Sequence, residues 1–349
     1  DFLRLRAELH LLLGEAADAE PIYAALYQAK SIGWARLGQA KTQFLLGEYA
    51  AAQGTLEGLL ENNKRFLDAY DWLARTHLAQ GKPELAQATL SEAVALSPHA
   101  VRRLRRLGEA ALAADDIEMA EKALKLVVSK AKYSEFRDPE DHVRLVQTLV
   151  RKGDPLQVGA VIRDLDKSMG GQKNAELCSA LCSAMLHAHT GNEERLQQSL
   201  DAALAANRHS VGGSNTLKTE LARHCLAHGR EDGAAEVMRE VMRNAPDSAA
   251  MTRAMAVFEL AGREELAKAL ARQSRQEVAD MVAAGAARAG DGDFRGAVDL
   301  MGEAVTRLPD NPQVVFNAAV AVLKCLEHEG WDERLGQQVL GLIAGVRRL

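Results

Sequence analysis

Four residues of the kinds that bind zinc gather in one short stretch: Cys178 and Cys182, four apart on one helical face, then His187 and His189. Their spacing matches no common zinc module. The surrounding residues are mostly Ala, Leu and Ser, where cysteine behaves as a small apolar side chain, so the pair reads as core rather than as a metal site. His224 and His228 also share a face, but the Glu that a His-Glu-x-x-His protease needs as general base is missing. They sit just before Gly229, where a positive charge suits a helix C-terminus. Gly290-Asp291-Gly292-Asp293-Phe294-Arg295-Gly296 is glycine-rich, yet no strand precedes it to present a phosphate cradle. The sequence has no Gly-Lys-Ser/Thr element, no Gly-x-Ser-x-Gly elbow and no carboxylate pair of recognisable spacing. We therefore expect no catalysis, no cofactor and no metal.

The densest charge is Arg102-Arg103-Leu104-Arg105-Arg106. A run like this is either a solvated helix face or a surface that addresses an acidic partner, and only the surrounding architecture can decide which. Composition narrows that architecture. The chain has 349 residues, 47% apolar and 26% charged, which excludes disorder. Aromatics make up only 4%, which suits close helix packing over small residues better than a β-sandwich or barrel. The formal charge of −5 gives no reason to expect nucleic-acid or membrane adhesion, and no apolar run is long enough to span a bilayer. Four cysteines make no disulfide framework, which points to a reducing, cytoplasmic setting. The opening residues Asp1 to Arg6 carry no signal-peptide pattern and no initiator Met, and they already have helical spacing. That reads as part of a longer protein.

Self-similarity supplies the architecture. Gly14, Gly47, Gly81, Asp115, Gly153, Gly191, Gly229, Gly262 and Gly292 follow one another at intervals of about 35 residues. Seven residues before each stands a mostly small residue: Ala7, Ala40, Ala74, Gly108, Val146, Ala184, Ala222, Met255 and Gly285. Five after come Ala19, Ala52, Ala86, Ala120, Val158, Leu196, Ala234, Ala267 and Ala297. Nine after come Tyr23, Leu56, Leu90, Leu124, Ile162, Leu200, Met238, Ala271 and Met301. The glycine ends one helix in a left-handed cap, and the small residues on either side let a second, antiparallel helix lie close. Pro83 suits the first turn of such a second helix, while Pro98, Pro246 and Pro309 mark the ends of others. Each unit is a helical hairpin that buries its apolar stripe by stacking on the next.

On these columns the chain resembles the tetratricopeptide repeat (TPR) family, most clearly from Ala69 to Pro98, where aromatic, Leu, small residue, Gly turn, Ala, Leu, Ala and Pro stand at that family's period. The resemblance implies an all-α superhelical solenoid of about ten hairpins. We expect regular repeats over 1–130, longer and irregular ones over 131–215, and repeats with atypical capping helices over 216–349. Breaks are expected at Tyr133 to Pro139, at Gly170-Gly171 and at His209 to Asn215, where the period lengthens. A narrower resemblance, in Gly33-Trp34-Ala35-Arg36-Leu37-Gly38, in Leu67 to Ala74 and in Gly330-Trp331-Asp332, is to the TPR half of bacterial response regulators that carry a receiver domain.

First helices line the groove of such a solenoid. Register then puts Arg102, Arg105 and Glu109 on the groove side, beside Asp68, Asp71 and Arg75 of the preceding unit, with Asp71 in solvent. Asn is absent from the first helices between residues 34 and 112, so the family's carboxylate clamp is not expected. The expected function is non-catalytic binding of a protein or peptide, as the output or scaffolding arm of a two-component signalling protein. The alternative is a regulatory repeat domain that clasps a peptide or small signal and controls an attached DNA-binding or enzymatic domain. Self-association stays open.

Overall fold

The computed structural model describes residues 2–209, 214–243 and 248–348. Among these residues every regular element is an α-helix, and the chain divides into two compact units, 1–193 and 194–349. The helix end expected at Pro246, and residues 210–213 of the break expected from His209 to Asn215, lie outside the described residues.

Unit 1 is built from antiparallel pairs. These are α1 (Phe2–Leu12) with α2 (Ala16–Lys30), α3 (Gly33–Leu45) with α4 (Tyr49–Asn62), α5 (Leu67–Ala79) with α6 (Pro83–Leu96), α7 (Val101–Ala113) with α8 (Ile117–Ala131), and α9 (Glu140–Lys152) with α10 (Pro155–Met169). The first helix of a sixth pair, α11 (Ala175–Thr190), completes the unit. Each helix packs on the next in chain order, and first helices also meet: α3 touches α5, and α9 touches both α7 and α11. Unit 2 opens with α12 (Glu193–His209) and continues through α13 (Asn215–Ala227), α14 (Glu231–Arg243), α15 (Ser248–Leu260), α16 (Glu264–Gly290), α17 (Phe294–Arg307), α18 (Pro312–Glu329) and α19 (Glu333–Arg348).

The repeat columns map directly onto this packing. All eight column glycines have positive φ, from +69° to +85°, and so terminate their helices in the left-handed conformation that only glycine adopts without strain. The residues seven before and five after them are buried at every turn except Met255, which is half-buried, and those nine after are buried except half-buried Ile162. Each buried Leu or Met of the third column stabilises its hairpin by about 1.5–3 kcal/mol. Where that side chain presses hardest, the facing column has shrunk to glycine: a β-carbon on Gly108 would lie 2.7 Å from Leu124 Cγ, and one on Gly285 would lie 3.0 Å from Met301 Cε.

Asp115 is the column's exception. It holds φ +58° with its side chain 87% exposed and only a long contact, 3.6 Å, to Arg151. The left-handed conformation costs an L-residue roughly 1–2 kcal/mol, and glycine's extra freedom in the unfolded chain gives part of that back. Asp115→Gly should therefore stabilise the α7–α8 hairpin by about 0.5–1 kcal/mol, read as slower native-state hydrogen exchange in those two helices.

Two departures from a uniform array stand out. Repeats eight and nine share one 27-residue helix, α16, instead of a second helix followed by a separate first helix. The stretch Arg272 to Met281 holds neither Gly nor Pro, so nothing there breaks the helix. The last pair lengthens its first helix to 18 residues, and its turn is at Gly330, with φ +92°. Between α8 and α9, where a break is expected, residues 132–139 form a longer irregular connection, yet α9 still packs on α7 and α8, and Phe136 folds back against the core formed by Val101, Leu104, Val127 and Ala131.

Candidate functional site

The four cysteines are buried free thiols, and burial raises all of them: Cys178 and Cys182 lie far above the ordinary thiol range, and Cys225 is pushed up to about 12. Such thiols pack as apolar residues and are poor ligands and nucleophiles. Among the described residues the one group of three potential ligand side chains is His10, Glu15 and Asp18, away from the cysteines. The rings of His224 and His228 stack 6.5 Å apart, with His224 3.4 Å from Glu220.

The arginine run divides along its helix. Arg103 grips Asp71 with both arms of its fork (Nε to Oδ1 3.2 Å, Nη2 to Oδ2 2.8 Å), and Arg106 adds a contact of 3.2 Å. Asp71 is only 14% exposed, which corrects the expectation that it stands in solvent: the preceding repeat offers its carboxylate to the arginines one repeat on. Arg105 turns the other way. It forks onto Asp141 of α9 at 2.6 and 2.7 Å and donates to the Phe136 carbonyl at 3.0 Å; the hydrogen bond to Asp141 holds the guanidinium above its ordinary pKa. Glu109 is bound by Arg144, 3.0 Å away, which also reaches Asp141 and Glu140. Arg105 and Glu109 therefore join α7 to α9, and neither stands free on the groove side.

Arg102 remains exposed, with its guanidinium 4.8 Å above the Phe136 ring. Arg75 lies 4.0 Å over Trp72 and 5.2 Å over Phe44, and Lys41 lies 5.8 Å from the Trp72 ring centre. Phe44 meets Trp72 edge-on at 5.5 Å, so the rings support one another as well as the cations. Asp68 is exposed and makes no ion pair among the described residues. These side chains surround a cleft of about 490 Å³ whose walls include Lys41, Asp68, Trp72, Arg102, Arg106 and Phe136.

Of the six residues expected at the site, Asp68, Asp71 and Arg102 line this cleft, and Arg75 stacks on its Trp72 wall. Sequence reasoning missed Lys41, Trp72, Arg103, Arg106 and Phe136. For Lys41 the signal was present in the columns: Lys41 and Arg75 both lie six residues before their glycines, on the same face of successive first helices.

Comparison with known proteins agrees with this architecture. Residues 72–135 match the model of the tetratricopeptide repeat family. No curated protein matches the chain. Among solved structures, a tetratricopeptide repeat protein from Parabacteroides merdae is similar at 12% identity and TM-score 0.54, covering 76% of this chain and 97% of that one. MamA from Desulfovibrio magneticus is 19% identical, covering 49% of this chain and 95% of its own, at TM-score 0.43. A thermophilic TPR protein from Thermus thermophilus is 22% identical over 65% of this chain and 99% of its own, at TM-score 0.36. The likeness to the first is one of fold alone. No helix among the described residues is long and apolar enough to cross a membrane. The repeat columns, the hairpins they build and the match over residues 72–135 together show a fold of the tetratricopeptide repeat type.

Proposed function

We propose that the chain is a non-catalytic protein-interaction module that receives a short segment of a partner protein along the first-helix cleft of unit 1. The observation that carries this reading is the gathering of rings and cations on α3, α5 and α7 around one open cleft, in a chain with only 4% aromatics. Two of the three tryptophans, Trp34 and Trp72, lie on these first helices, and each carries a stacked arginine, Arg4 and Arg75 respectively. Rings and guanidinium groups are the side chains that most often anchor a partner. The finer role, as the cytoplasmic output or scaffolding arm of a bacterial two-component protein, is supported by the resemblance of Gly33 to Gly38 and Leu67 to Ala74, the second of which contributes Asp68, Asp71 and Trp72 to this cleft.

Asp68→Trp tests the cleft, because the position is exposed, unpaired and on its wall, so the new ring blocks the space without disturbing the core. Random peptides selected on the wild-type chain should lose binding to Asp68→Trp. Equal enrichment on both proteins would remove the cleft as the binding surface.

A second reading has its own observation in unit 2. A cleft of about 750 Å³ lies among α15, α16 and α18, walled by Met255, Val278, Val282, Leu308 and Val314, with Glu259 and Arg275 among its polar residues. Its size and apolar walls suit a small signal molecule or a short peptide, as the regulatory alternative requires.

A further inference from the structure

The cleft of unit 2 lies where the repeat pattern loses a turn. In the regular repeats a short connection separates each second helix from the next first helix, as at residues 31–32, 63–66 and 97–100. α16 has no such connection and runs straight through. α15, joined to it by residues 261–263, packs on it as a hairpin partner, while Val278 and Gly285 further along meet residues of α17 and α18. The middle of the helix, from Ala271 to Val282, is left to floor a cleft of about 750 Å³ between α15 and α18.

Polar and apolar residues are sorted along that floor. Ala271, Arg275, Val278 and Val282 recur at helical spacing and share one face of α16. Beyond Arg275 the walls are apolar: Val278 and Val282 belong with Leu308 and Val314 to one packed cluster. In the other direction stands Glu259, in the last turn of α15 and so towards the start of α16. Arg275 is exposed between the two, and among the described residues its side chain makes no ion pair and no hydrogen bond. The polar groups around it are engaged elsewhere. Glu277 is held by Arg307 at 3.0 Å, Asp280 accepts from Gln276 at 2.8 Å, and Asp310 has a partner of its own.

An unpaired guanidinium at the edge of an apolar wall recognises a ligand in two parts. Its fork fits a carboxylate through two parallel hydrogen bonds, and the wall takes an apolar chain. Resting on the reading of this cleft as a small-molecule site, we infer that its ligand is an aliphatic monocarboxylate, with the carboxylate on Arg275 and the chain along Val278, Val282, Leu308 and Val314. The floor from Arg275 to Val282 is about 10 Å long, which suits a chain of medium length. Glu259 repels a second negative charge on the far side of Arg275, and Arg275 itself repels a cationic head, so one carboxylate is the favoured charge. Each added methylene that reaches the wall strengthens binding about fourfold.

Isothermal titration of the full chain with octanoate, decanoate, decanedioate and decylammonium tests the assignment. Decanoate should bind at least tenfold more tightly than decanedioate and decylammonium, and about tenfold more tightly than octanoate. Arg275→Gln should weaken decanoate at least tenfold and leave decylammonium no weaker. Ala279→Trp, at an exposed position on the wall, should abolish binding by filling the cleft. Arg208→Gln, an exposed paired arginine elsewhere in unit 2, should change nothing. Equal affinity for decanoate and decylammonium, preference for decanedioate, decanoate binding that survives Arg275→Gln, or no measurable binding of decanoate at about 1 mM would each overturn the inference. The comparison of ligands needs no altered protein, so it decides even if a variant folds poorly. If decylammonium is preferred and is lost in Ala279→Trp, the carboxylate assignment fails while the cleft remains a small-molecule site. If no ligand is sensitive to Ala279→Trp, the small-molecule reading of the cleft fails with it.

Discussion

Replacing Arg105 with Gln should lower the local unfolding free energy of α7 and α9 by about 3 kcal/mol, read as faster native-state hydrogen exchange in both helices. The Asp141 carboxylate is only 1% exposed, and Arg105 supplies two of its hydrogen bonds, at 2.6 and 2.7 Å. Removing one partner of a buried pair typically costs 3–5 kcal/mol, because the remaining charge is left without compensation. The lower end applies here, since Arg144 still reaches Asp141 at 3.2 Å. The Phe136 carbonyl also loses its donor, so the connection over residues 132–139 should loosen together with the helices. Adding Asp141→Asn to Arg105→Gln removes the stranded charge and should restore more than half of the loss. If the single variant exchanges like wild type, the α7–α9 clasp contributes nothing to stability. A charge reversal at Arg105 is consequently a poor probe of partner binding, because it would disturb the fold first.

This clasp shows where sequence reasoning reached and where it stopped. Helical periodicity separates the faces of α7, and it put Arg102 on the cleft side, where the structure has it. Periodicity cannot say which carboxylate lies opposite an arginine, because that depends on how far one hairpin turns against the next. A usable signal did exist. In this chain ion pairs join residues about one repeat apart: Arg103 to Asp71, Arg105 to Asp141, Arg144 to Glu109, Lys132 to Asp164, Arg263 to Glu231 and Arg295 to Glu329. Opposite charges offset by the repeat length meet for the same reason that the apolar columns do, since stacking brings equivalent faces together. Searching for charge pairs at that offset would have given partners to Arg103, Arg105 and Arg106, and also Asp68 to Arg102, a pair that the structure does not form among the described residues. The continuous α16 was legible in the same way, from a stretch without Gly or Pro where a turn was due. The cation–ring stacks were not, because Phe136 reaches the cleft from an irregular connection that no periodicity describes.

Gly38→Ala should be among the most damaging single-methyl changes in unit 1, costing about 1–2 kcal/mol, although alanine is the better helix former. Gly38 lies inside α3 and is buried, and a β-carbon there would overlap the Tyr23 ring, with Cε1, Cδ1 and Cζ all within clashing distance. The Tyr23 ring is itself fully buried, packed with Ala7, Ala19, Leu11, Ile22 and Trp34, so it has no empty space to move into. Overpacking a rigid core site costs about 1–3 kcal/mol, and the propensity gain of Gly to Ala, about 0.8–1 kcal/mol, offsets only part of a clash with an immobile ring. Gly54→Ala supplies the contrast. Gly54 lies exposed inside α4 with nothing within 4 Å of a built β-carbon, so the same substitution there should stabilise by about 0.5–1 kcal/mol. Measured side by side through hydrogen exchange of α2, α3 and α4, the two variants should move in opposite directions. Stabilisation at both positions would mean that the Tyr23 ring does not fill the space over Gly38, and that close approach of α2 and α3 is not what holds the first two repeats together.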